Sequence, residues 1–149
     1  MLSEVAPARP SFWSSDEWST PPAVFGALAA EFGPFDLDPC CRPETAKAPK
    51  FYTMAENGLL QPWAGKIWLN PPYSNPAPWL RRAIEAATQG SLVVALLPTS
   101  TCTGWFHDLV LPHAEIRFWR GRIRFLGWQG TPIDRPKHSS VIAIYRPAP

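Results

Sequence analysis

Cysteine is scarce in this chain: three in 149 residues, two of them adjacent as Cys40-Cys41. An odd count without paired spacings excludes a disulfide framework. No CxxC and no zinc-type His/Cys spacing occurs, and His107, His113 and His138 are scattered, so no metal site is expected. Long apolar runs are missing too. Nothing approaches the ~18 residues of a membrane span, and no basic stretch followed by an apolar one opens the chain. A cytoplasmic, reduced protein with no membrane partner is therefore expected. Charge of one sign is also lacking: 14 Lys and Arg against 12 Asp and Glu leave a formal net charge of +2. With 46% hydrophobic and 17% charged residues, disorder is excluded. The length allows one domain. Residues 1–12, rich in Pro, Ser and Ala, are expected to form a flexible arm, and residues 13–149 the domain.

What is plentiful is proline, at 19, and tryptophan, at eight. The prolines cluster, as in Thr20-Pro21-Pro22 and between Asn70 and Pro78, which points to rigid shaped loops. Thr20 is placed to cap a helix with prolines in its first turn. Val24, Phe25, Leu28, Ala29 and Phe32 then mark one apolar face, and Gly33-Pro34 ends it. Phe35 to Asp38 reads as a short strand ending in an acid, and 44–65 as loop with helical pieces. Ile67-Trp68-Leu69 is a buried strand. Leu80, Ala83, Ile84 and Ala87 recur at helical spacing from Pro78, with Gly90 as the C′ glycine. Ser91 to Leu97 has the unbroken apolar character of an inner parallel strand. A short helix over 104–111 follows, then strands over 114–119, 122–125 and 141–145. Such alternation predicts a single α/β, Rossmann-like domain: a mostly parallel sheet, an antiparallel edge, and helices on both faces.

Ligands in such folds bind at the carboxyl ends of strands. Two strand ends carry unusual residues: Asp38-Pro39-Cys40-Cys41 and Asn70-Pro71-Pro72-Tyr73. The second carries the sharper chemistry. The lone pair of an aromatic amine is delocalised into its ring, so the nitrogen must be drawn toward tetrahedral geometry before it attacks a methyl donor. Two acceptors aimed at its hydrogens do this: the side-chain oxygen of Asn70 and the carbonyl of Pro71. Pro71 and Pro72 fix the loop, and Tyr73 offers a face for a planar ring. No strong base is needed, because the proton leaves after the nitrogen has become positive. The motif by itself leaves the substrate open.

The ordered set Trp18-Ser19-Thr20-Pro21-Pro22, Phe35 to Pro39, Phe51-Tyr52-Thr53, Asn57-Gly58-Leu59, Trp63, Asn70 to Ser74, Trp79, Leu96-Leu97-Pro98 and Arg120 to Phe125 resembles the phage-type DNA N6-adenine methyltransferase (Dam-like) family. That family is a small branch of the class I methyltransferases, and the likeness runs from Trp18 to Tyr145. The resemblance implies S-adenosylmethionine as cofactor and adenine in double-stranded DNA as substrate, in a bacterial host if the chain is phage-encoded. It places Thr20 and Pro21, with Pro22, at the cofactor's methionine end. Asp38, with Pro39 and Cys40, falls near its amine or ribose, and Asn57 near its adenine. An acid at a strand end suits an ammonium or hydroxyls. One departure stands out: the turn after the first strand has no glycine, where many class I methyltransferases have a Gly-rich one. Cys40 and Cys41 are expected to be small packing residues.

Arg117, Arg120, Arg122 and Arg124 are interleaved with Phe118, Trp119 and Phe125, and Arg135 and Lys137 follow. A DNA interface is expected here, with arginines on phosphates and Phe125 or Trp119 holding an extruded base. Two alternatives share these residues: methylation of another planar amine, such as an RNA base or protein glutamine, and a degenerate member that binds DNA or cofactor without turnover.

Overall fold

A computed structural model of the chain describes residues 18–133 and 138–149. Among the described residues, six strands form one sheet in the order β2-β1-β3-β4-β6-β5. They are β1 (Leu37–Asp38), β2 (Lys50–Phe51), β3 (Lys66–Leu69), β4 (Leu92–Pro98), β5 (Glu115–Phe118) and β6 (Ser140–Tyr145). The strands β2, β1, β3 and β4 are parallel, while β6 runs antiparallel to both β4 and β5. The expected parallel sheet with an antiparallel edge is therefore present.

Strand periodicity divides the core in two. Ile67, Leu69, Val93, Ala95, Leu97, Val141 and Ala143 pack on one face under α2 (Ala77–Thr88), through Leu80, Ala83 and Ala86. Trp68, Val94, Leu96, Ile142 and Ile144 pack on the other, under α1 (Pro22–Phe32), through Val24, Leu28 and Phe32. The Trp68 ring meets Phe25 edge-on at 5.0 Å between centroids and lies 5.7 Å from Phe35. Such pairs are worth about 0.5–1.5 kcal/mol each beyond area burial. The helix expected over 104–111 is present with π-helical geometry at Phe106–Val110. Gly90 ends α2 at φ +101°, a left-handed backbone that glycine adopts without steric penalty.

Three local expectations are corrected. Thr20 does not cap α1: the N-cap is Pro21, with no side-chain cap bond. Residues 44–65 are not all loop and helical pieces, since two of them form β2 at the sheet edge. Residues 122–125 alternate between exposed arginines and buried Ile123 and Phe125, yet they join no ladder. The alternation there reflects a chain laid over the α1 face of the sheet, not a strand within it.

Candidate active site

The strand order reverses between β1 and β3, because the chain passes from β1 outward to β2 and then returns to the far side of β1. This switch point opens a crevice at the carboxyl ends of the strands. The register pairs Leu37 with Ile67, so Asp38 and, just past β3, Asn70 emerge side by side. Both line a cavity of about 820 Å³, together with Thr20, Pro39, Cys40 and Asn57. Pro72 lines it as well. Pro21 and Pro22, expected beside them, are not among its lining residues and instead begin α1, and Pro71 is buried behind the wall without lining it.

Asp38 is 2% exposed. One carboxylate oxygen accepts the Cys40 N–H at 3.3 Å and the other the Lys47 N–H at 3.0 Å. The Cys41 thiol points at the Asp38 and Tyr52 carbonyls, while Cys40 packs against the core. Burial pushes the Asp38 carboxyl up to about 7, partly offset by those N–H donors and by Lys47. Burial also pulls the Lys47 ammonium down and pushes the Cys41 thiol up. A buried acid so strongly perturbed, set in a cavity wall, marks a candidate functional group.

The missing glycine of this turn is supplied from elsewhere. A Cβ on Gly58 would lie 1.9 Å from the Pro39 carbonyl oxygen, so only glycine lets the 53–58 segment close against the turn. Asn57 holds that segment at φ +54°, its side chain accepting the Leu59 N–H at 3.2 Å. Trp63 ties it down through a 2.8 Å bond from Nε1 to the Gly58 carbonyl.

Asn70 is half-buried, and its Nδ2 donates to the Trp18 carbonyl and the Thr20 hydroxyl, each at 3.4 Å. A carbonyl has no proton to give, so the amino end of the amide must face Trp18, which leaves Oδ1 as the acceptor end. Tyr73, expected to offer a face to a planar ring, does not line the cavity: its ring packs edge-on against Phe125, and its hydroxyl donates to the Leu96 carbonyl at 3.2 Å. Burial holds its phenol far above the usual range, so it stays neutral.

The sequence model of one family, described as DNA N-6-adenine-methyltransferase (Dam), matches residues 12–149. This chain belongs to that family. A DNA N-6-adenine-methyltransferase of Escherichia phage T1 is 34% identical over 151 residues, which cover 88% of this chain and 63% of the phage protein. That of Haemophilus phage HP1 is 34% identical over 137 residues, covering 89% of this chain and 79% of the relative. The chain thus spans less than two thirds of the T1 protein's length. The resemblance read from the residues is borne out.

Against that family background, several expected contacts on the DNA side are corrected. Phe125 is 6% exposed, its ring 6.5 Å from Trp18 in a stacked pair and 6.0 Å from Tyr73 edge-on. It buttresses the Asn70–Tyr73 loop and is not open to hold an extruded base. Trp119 is half-buried against the same core. Arg117 pairs with Glu31 and Glu115 and lies over the Phe32 ring at 5.1 Å, which ties it to α1. Arg120, Arg122 and Arg124 are exposed. Arg135 and Lys137, like residues 1–12, lie outside the described residues. No helix among the described residues is long and apolar enough to cross a membrane.

Local pattern did not single out the Trp18 carbonyl, Lys47 or Arg42 at the cavity wall. Their roles depend on contacts made by backbone or by loops distant in sequence. Trp79, brought in by α2, completes the wall.

Proposed function

We propose that this chain transfers the methyl group of S-adenosylmethionine to the N6 amine of adenine in double-stranded DNA. One observation carries the reading. Asn70 and the buried acid Asp38 open into one cavity at the switch point, and the Asn70 amide turns its amino end to Trp18 and Thr20, which leaves Oδ1 without a partner among the described residues. The cavity volume lies within the range of cofactor sites, about 300–1,000 Å³. Its lining suits the proposed cofactor: a buried carboxylate for an ammonium or ribose, with Pro39, Cys40 and Asn57 around it. When bound, the cofactor supplies an electrophilic methyl sulfonium.

Asn70 Oδ1 and the Pro71 carbonyl each accept one N6 hydrogen, raising the amine's nucleophilic character as it attacks. Pro71 and Pro72 hold that carbonyl in place, and Tyr73, neutral and anchored to β4, keeps the loop against the sheet. Alignment of amine and methyl group supplies much of the remaining acceleration. An amine inside a duplex is out of reach, so the adenine must be flipped. Incubation with labelled cofactor and adenine-containing duplex, followed by nucleoside analysis, tests the reading. Labelled N6-methyladenine is expected, and label elsewhere or none overturns it.

Asp38 makes binding pH-dependent. Its folded pKa is raised from 3.8 to about 7, so the folded protein binds a proton more tightly than the unfolded chain between those values. Stability without cofactor therefore falls as pH rises through that window, and cofactor affinity rises as the carboxylate forms. Calorimetry from pH 5.5 to 8 should show Kd falling up to pH ~7 and levelling above it. Asp38→Asn should abolish that bend, and Asp38→Ala should weaken binding by about 1–3 kcal/mol. A bend that survives in Asp38→Asn assigns it to another group.

The exposed arginines 120, 122 and 124 would neutralise phosphates. Each lost phosphate contact lowers the slope of log K against log salt by roughly 0.9 on duplex DNA. Arg124→Ala is expected to flatten the slope by about that much and to weaken binding to all sequences alike. Slopes equal to wild type would remove Arg124 from the interface.

A further inference from the structure

We propose that the segment Trp18–Thr20 is a positioning clamp for Asn70: the Trp18 carbonyl and Thr20 hydroxyl hold the amino end of the amide, so that Oδ1 presents to the substrate amine. The clamp rests on the reading of Asn70 as an acceptor for that amine. A primary amide is two-faced, and rotation about its last torsion exchanges an acceptor for a donor. Turned the wrong way, Asn70 would offer N–H groups to an NH2 group. The Trp18 carbonyl forbids that state, because it would set two acceptor oxygens against each other. Both bonds, at 3.4 Å, have room to shorten when substrate polarises the amide.

Two further features fit a clamp. Thr20 stands one residue before Pro21, the N-cap of α1, and makes no side-chain cap bond to the helix. It is 1% exposed, with its hydroxyl directed at Asn70. The segment is itself fixed: Ser19 and Leu126 exchange two backbone hydrogen bonds of 2.8 Å, and Trp18 stacks on Phe125. The amide is thereby referenced to the chain that follows the exposed arginines, and Phe125 joins that chain to Tyr73. Thr20 is thus assigned to Asn70, not to the cofactor.

Thr20→Val keeps the shape and removes the hydroxyl. At saturating cofactor and DNA its kcat is expected to fall by about 10–100-fold, the scale for partners that orient a functional group from behind. Cofactor Kd is expected to stay the same, and Thr20→Ser to restore kcat. Thr20→Ala should repeat the loss, guarding against misfolding of the valine variant. In 15N-labelled protein without cofactor or DNA, the Asn70 side-chain amide pair, identified by its absence in Asn70→Ala, should shift and exchange faster in Thr20→Val. Unmoved amide signals overturn the clamp. Unchanged kcat with weakened cofactor binding also overturns it and makes Thr20 a cofactor ligand. If wild type methylates no DNA, the functional reading fails, while the amide signals still decide the clamp.

Discussion

Asn70→Ala is expected to slow methyl transfer by about 10²–10³-fold, the loss that follows removal of one preorganised polar group, or about 2.7–4 kcal/mol. The side chain is half-buried and its hydrogen bonds among the described residues go to Trp18 and Thr20, so the sheet beneath is left intact. Cofactor affinity and thermal stability should therefore stay close to wild type. Single-turnover rates at saturating cofactor and DNA give the measurement, and a wild-type rate would remove Asn70 from the chemistry. Asn70→Asp is the informative companion. It keeps an acceptor toward the amine but sets a carboxylate oxygen against the Trp18 carbonyl, so its rate should fall between the two.

Gly58→Ala should damage the cofactor side instead. The added Cβ would lie 1.9 Å from the Pro39 oxygen and 3.2 Å from the Trp79 ring. The first clash is with backbone, so no rotamer relieves it, and the 53–58 segment must lift from the turn after β1. Overpacking of this kind costs about 1–3 kcal/mol. Strain on the Trp63 bond to the Gly58 carbonyl adds to it. For a chain of this size each kcal/mol lowers Tm by about 2–4 °C. Cofactor binding should weaken in parallel, because Gly58, Asn57 and Pro39 share the cavity wall. Unchanged Tm together with unchanged affinity would show that the segment is free to move and does not shape the site.

The sequence was informative where a residue's fate depends on its neighbours in the chain. The apolar run from Ser91 to Leu97, the helical spacing after Pro78 and the strand leading into Asn70 each reported a real element within a residue or two. The site followed, because strand ends face the crevice and Asp38 and Asn70 end adjacent strands. What stayed hidden depends on distance. Arg117 read as a surface cation because its partner Glu31 is 86 positions away. Phe125 read as an available ring because nothing near it in sequence shows Trp18 and Tyr73 closing over it. Thr20 looked like a cap because capping is a local rule, and the Asn70 amide that engages it is 50 residues on. The glycine-free turn after β1 looked like a defect until Gly58 was seen against it.

The placement of β6 between β4 and β5 sets the order in which the chain can be assembled. Both neighbours are synthesised before it, yet they meet only through it, with Val94 opposite Ile144 on one side and Ile116 opposite Ala143 on the other. Until residues 140–145 are released, β4 is an apolar strand with one row of N–H and C=O groups unpaired, the state most open to pairing with another chain. A nascent chain stalled before β6 therefore lacks not its rim but the inner plank of its sheet.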